Sequence, residues 1–124
     1  MKPTFRNSTE VIKGWGKEVI IVNNESYCGK LLIFKKGKKF SSHFHYDKQE
    51  SFNLFSGMVI MRYFDLTNGK KLERILNVGD VVDIPRGCPH QIEALEDSTI
   101  IEISTPHKDS DSYRIGPGDS QNEN

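Results

Sequence analysis

The sequence of 124 residues predicts an all-β sandwich or barrel. Short runs rich in Val, Ile, Phe and Tyr recur at regular spacing, and none sustains the 3.6-residue period of an amphipathic helix. Turn signals separate them: Asn23-Asn24, Lys36-Gly37, Ser56-Gly57, Asn68-Gly69 and Val78-Gly79.

Taken in order, Glu18–Val22 is expected as a strand that stops at Asn23-Asn24. Tyr27–Lys35 then runs to Lys36-Gly37, and Lys39–Phe44 follows that turn. Ser51–Phe55 ends at Ser56-Gly57, Met58–Asp65 runs toward Asn68-Gly69, and Leu72–Leu76 stops before Val78-Gly79. Val81–Ile84 closes on Pro85, Gln91–Leu95 follows the next turn, and Thr99–Ser104 ends before Pro106. Residues 18–104 are therefore read as the barrel. Residues 1–17 are an N-terminal arm whose Gly14-Trp15-Gly16 packs one large aromatic on it. Residues 105–124 are a tail whose last ten or so residues carry too little apolar area to bury and are expected to be mobile.

One strand bears on assembly. In Met58–Phe64, Val59, Met61 and Tyr63 alternate with Met58, Ile60 and Phe64, so both faces are largely apolar. A strand with one wet face would alternate with polar residues. Both faces are expected to be covered, the second by the arm or by another copy of the chain; a homodimer is the reading preferred here.

Bulk composition excludes several classes. Seventeen basic and seventeen acidic side chains leave no global field to attract nucleic acid or an anionic membrane. The tail holds Asp109, Asp111, Asp119 and Glu123 against Lys108 and Arg114, which leaves residues 1–104 with 15 basic and 13 acidic groups. That mild positive balance tolerates an anionic small-molecule substrate. No stretch is long and apolar enough to span a membrane, and Met1-Lys2-Pro3-Thr4 opens no signal peptide, so cytoplasm is expected. Cys28 and Cys88 form no C-x-x-C pair and are expected to stay reduced.

Two strings carry chemistry. The first runs Gly37, five residues, His43, Phe44, His45, four residues, Glu50, six residues, Gly57. The second runs Gly79, five residues, Pro85, Arg86, Gly87, two residues, His90. His43 and His45, two apart on a strand, point to one face. With Glu50 and His90 they make a donor set of three imidazoles and one carboxylate. Such a set suits a divalent transition metal (Zn, Fe, Mn or Ni) with coordination positions left open. Counting in alternation from His90 and Glu50 turns Ile92, Ala94, Phe52 and Leu54 inward, giving an apolar interior with few polar groups. Tyr63 can place its hydroxyl there. Glu102 shares a face with Ile100 and Ser104; pointing inward, it becomes a candidate general base whose pKa burial would raise. Cys88 is assigned to turn packing; Lys30, Arg62 and Arg86 are read as solvated surface, with contact to a phosphate or carboxylate as the alternative.

Both strings resemble the two motifs of the cupin superfamily, G-x5-H-x-H-x3,4-E-x6-G and G-x5-P-x-G-x2-H-x3-N, at nine of ten fixed positions. Ala94 stands where the pattern has Asn. The resemblance implies a double-stranded β-helix, or jelly-roll, cupin barrel, with His43, His45, Glu50 and His90 as metal ligands. More loosely, Gly79–Leu95 and Ile101–Pro106, with the acidic, Arg114-containing tail, are similar to the cupin domain of mannose-6-phosphate isomerases. That similarity implies a metal-dependent sugar or sugar-phosphate isomerase or epimerase, with Glu102 or Tyr63 moving the proton. Two alternatives stand beside it: an Fe(II)-dependent dioxygenase of a small organic substrate, and a non-catalytic carbohydrate- or metabolite-binding cupin.

Overall fold

A computed structural model describes residues 1–121 as two antiparallel sheets packed face to face. Eleven strands follow in chain order: β1 Thr9–Lys13, β2 Gly16–Asn23, β3 Cys28–Phe34, β4 Ser42–His45, β5 Glu50–Ser56, β6 Val59–Phe64, β7 Lys71–Leu76, β8 Val81–Ile84, β9 His90–Ala94, β10 Ser98–Ser104 and β11 Ser112–Gly116. One sheet has the order β1-β2-β3-β10-β5-β8 and the other β11-β4-β9-β6-β7. Consecutive strands repeatedly land in different sheets, the wrapping of a jelly roll. Among the described residues the only helical element is a 3₁₀ turn, Asp109–Asp111, and no helix is long and apolar enough to cross a membrane.

The core follows the period-2 pattern. Along β3, Cys28, Lys30, Leu32 and Phe34 are buried while the residues between them are half-buried; along β10, Ser98, Ile100, Glu102 and Ser104 repeat the pattern. Leu32, Phe52, Leu54, Ile92, Ala94 and Ile100 meet between the sheets, so the inward assignment of Phe52, Leu54, Ile92 and Ala94 holds. Trp15 is buried and stacks on Phe34 with ring centroids 4.5 Å apart. The chain bends sharply into β6 at Gly57, whose φ of +90° and close approach to the Asp97-Ser98 backbone leave no room for a Cβ.

Three expectations are corrected. Trp15 of the arm packs on the barrel as expected, but Thr9–Lys13 also pairs with β2 as a hairpin, and β2 itself begins at Gly16, among the residues read as arm. Because this hairpin extends the β3 sheet, it does not cover the outer side of β6, where Met58, Ile60 and Phe64 remain half-buried. The tail also enters the barrel. Ser112–Gly116 pairs with β4, the Asp119 amide donates to the Lys39 carbonyl at 2.9 Å, and the Gly14 amide donates to Ser120 Oγ at 2.9 Å. These hydrogen bonds hold a stretch with little apolar area. The remainder of the tail expectation, residues 122–124, lies outside the described residues. Finally, β4 starts at Ser42 rather than Lys39.

Candidate metal centre

His43 and His45 project inward from β4, and His90 opens β9 directly opposite His43 in the register. The Pro85–Gly87 turn before His90 is tight, with Gly87 at φ +79°, and the Gly87 amide donates to the His45 carbonyl at 2.7 Å. That bond ties the two motifs together. One ligand nitrogen from each imidazole lies within 4.8 Å of the other two. Glu50, first residue of β5, faces them from the other sheet. Its Oε1 is 2.8 Å from His90 Nε2 and 3.6 Å from His45 Nε2.

Each ring is oriented by main chain. The Nδ1 atoms lie 2.8 Å from the Ser41 carbonyl (His43), 3.1 Å from that of Asp111 (His45) and 2.9 Å from that of Cys88 (His90). A carbonyl only accepts, so Nδ1 carries the proton in each neutral ring and Nε2 keeps its lone pair. Burial first, then the neighbouring His90 and His45, lowers the His43 pKa to about 3; burial chiefly lowers that of His45 to about 4. Both are neutral near pH 7 and ready to ligate. Burial works against the Glu50 carboxylate, but His90 when its ring is protonated, then the Lys48 ammonium and a protonated His45, outweigh it and hold its carboxyl below the ordinary range.

Whether these residues fit a metal is answered by two atoms. Glu50 Oε1 and His90 Nε2 are fully buried and make no hydrogen bond to any described residue, although they approach to 2.8 Å. When His90 is neutral with its proton on Nδ1, this contact sets two lone pairs against each other. A shared cation turns that repulsion into coordination, and buried polar atoms are otherwise rarely left without a partner. The donor set fits a divalent transition ion.

His43, His45 and Glu50 line a cavity of about 370 Å³, within the range of small-molecule pockets. Glu102 enters it, 4% exposed, as one face of β10 requires. Its carboxylate is not a free base, however: Lys48 Nζ lies 2.7 Å from it, and Ser104 Oγ donates at 3.3 Å. Lys48 also reaches Glu50 Oε2 at 3.3 Å and donates to His107 Nδ1 at 3.1 Å, while His107 Nε2 meets Asp109 Oδ1 at 3.0 Å. Burial disfavours the Lys48 ammonium, but Glu102 and Glu50 outweigh it and raise its pKa above the ordinary lysine value. Lys48 and His107 thus join the site although the sequence marks neither: Lys48 is one of the unspecified residues between His45 and Glu50 in the first string, and His107 lies outside both strings.

Other assignments change as well. Tyr63 faces inward opposite His90 but lines a second cavity of about 470 Å³ with Met61, Leu76 and Val82, not the histidine cavity. Lys30, expected at the surface, is buried on the histidine-cavity wall. Arg62 does lie near the surface, bridging Glu73 and Glu93, and Arg86 Nε donates to the Asp47 carbonyl. Cys88 is buried, its Sγ directed at the Phe64 carbonyl, which fits turn packing.

No protein-family model matches the chain, and no curated protein matches it. Solved structures do. Oxalate decarboxylase from Bacillus subtilis superposes with a TM-score of 0.76 at 18% identity, over 87% of this chain and 30% of that one. CapF, a capsular polysaccharide assembling protein from Staphylococcus aureus, gives 0.75 at 22% identity, over 90% and 33%. A second structure of the decarboxylase, which has Mn(II) centres, gives 0.75 at 18% identity, over 87% and 30%. This chain spans about a third of the length of these proteins. The likeness establishes the fold: the barrel is a jelly roll of the cupin type.

Proposed function

We propose that this protein is a metal-dependent enzyme that isomerises or epimerises a sugar or sugar phosphate, with His43, His45, Glu50 and His90 holding the ion. The observation that carries the metal is the buried pair Glu50 Oε1 and His90 Nε2, which face each other without a hydrogen bond beside two further neutral imidazoles. Zn, Fe, Mn and Ni all suit these donors; the Mn(II) centres of the similarly folded decarboxylase make manganese the first to try. When bound, the ion supplies Lewis-acid polarisation of neighbouring substrate oxygens. The chain supplies the rest. Glu102 and Lys48, joined at 2.7 Å, put a proton acceptor beside a proton donor in the cavity, the pairing a proton shift between adjacent carbons needs. Phe40 and Phe52 pack against His90 and keep that end of the cavity apolar. Tyr63, in the other cavity, drops out of the reaction.

The proposal also takes the protein as a cytoplasmic homodimer. Free, buried Cys28 and Cys88 suit a reducing compartment, and exposed Ile12, Phe55, Val81 and Ile103 offer apolar area to a second copy. Light scattering at micromolar concentration checks the dimer.

Elemental analysis of the natively purified protein comes first, followed by an anaerobic turnover screen of aldose and ketose phosphates with the metal found. Glu102→Gln is expected to keep the metal and lower turnover about 10²–10⁴-fold. Product formation coupled to oxygen uptake would reject the isomerase in favour of the dioxygenase, and saturable sugar binding without turnover would leave a binding module.

A further inference from the structure

Two lysines are buried in the wall of the histidine cavity, and their surroundings differ. Lys48 is saturated, with Glu102, Glu50 and His107 all within 3.3 Å of its Nζ. Lys30 is 2% exposed on the inner face of β3, yet among the described residues it donates no hydrogen bond. Its nearest acidic oxygen, Glu18 Oε1, is 3.6 Å away. An ammonium carries three donors, and burying it is costly unless they are used.

We infer that Lys30 is the centre of an oxyanion subsite that takes the carboxylate or phosphate group of a ligand whose other end reaches the histidines. Two further cations support it. Arg114, opposite His43 in the register, and Lys13 line the same cavity, and neither has an ion-pair partner among the described residues. Charge balance points the same way. Four basic and four acidic side chains line the cavity, so a divalent ion at the histidines leaves two positive charges that an anionic ligand offsets. Of the acids nearest Lys30, Glu102 is tied to Lys48, which leaves Glu18 as the one carboxylate competing with a ligand for Lys30. The subsite rests on the metal reading above and narrows its substrate to a molecule with an oxyanion at one end.

The test titrates inorganic phosphate and acetate into the full chain by calorimetry, after elemental analysis of each sample. Lys30→Met is expected to keep the wild-type metal content and bind the preferred anion at least 10-fold more weakly. Glu18→Gln, which removes the competing carboxylate from a partly exposed position, is expected to bind it severalfold more tightly, and it decides the matter if Lys30→Met does not fold. Preference for phosphate identifies a phosphorylated ligand and preference for acetate an organic acid; either supports the subsite. Wild-type protein that binds neither anion, Lys30→Met that binds as wild type does, or Glu18→Gln without a gain overturns it. Wild-type protein without metal rejects the metal reading instead, and Lys30→Met then still has to weaken anion binding to the metal-free chain.

Discussion

The two cavities of this barrel are similar in size and opposite in character. One, about 370 Å³, is walled by His43, His45, His107, Glu50 and Lys30 among others; the other, about 470 Å³, lies under β6, β7 and β8 against Met61, Leu76, Val82 and Ile84. Both are built from inward positions of the same alternating pattern. The difference teaches that the strand period fixes direction, while the residue types at inward positions decide whether a cavity is packing or chemistry. Inside the first cavity Lys48, Glu50 and Glu102 are tolerated because they meet one another; in the second, Asp65 and Asp80 accept amides of their own turns.

If that contrast is right, the largest effect comes from a ligand. His45→Ala is expected to lower metal affinity by more than about 100-fold, since changes merely behind metal ligands already cost 10–100-fold. Metal content equal to wild type, measured by elemental analysis, would show the donor set to be wrong. Next comes the ion pair behind the ligands. Lys48→Met leaves Glu50 and Glu102 buried without their shared cation, and breaking such a pair costs about 3–5 kcal/mol. Thermal unfolding should register it as a fall of about 10–20 °C; a fall of only a few degrees would mean that water reaches these groups. In the apolar cavity, Leu76→Ala is expected to cost about 2–4 kcal/mol in a denaturant melt and leave metal content untouched. Loss of metal in that variant would join the two regions that the comparison separates.

The smallest effect near neutrality is that of pH. In the metal-free fold His43 and His45 titrate at about 3 and 4, below the ordinary 6.5 that they regain on unfolding. The unfolded chain therefore takes up protons first. Stability from these neutral rings is complete above about pH 6.5 and is lost as pH falls toward 4 and then 3. Denaturant melts of chelator-treated protein between pH 7 and 4 should show this decline, and a flat profile would mean that the rings are solvated.

Much of this was legible in the chain. Nine expected strands match β2 to β10 because their inward residues are apolar or belong to the two motifs, so the alternation shows. Strands β1 and β11 escaped because they lie at sheet edges with four of five residues exposed in each, and burial left no periodic trace. Alternation put Glu102 on one face with Ile100 and Ser104 but left open whether its charge would turn that position to solvent; the structure buries it. Alternation could not say which cavity Tyr63 would meet, nor that Lys48, 54 positions before Glu102, would claim that carboxylate. Lys30 was misplaced for a related reason: alternation makes it a core position, but a lysine is read by default as solvated.

The main-chain hold on His45 has a temporal consequence. Its carbonyl partner belongs to Asp111, 66 residues later, and the Asp111 carboxylate also gathers the amides of Tyr46, Asp47 and Lys48. During synthesis the chain passes the first motif long before it makes this clamp. Until residue 111 has emerged, His45 is free to rotate and the loop bearing Lys48 is unclosed. The orientation of His45 is thus postponed to a nearly completed barrel.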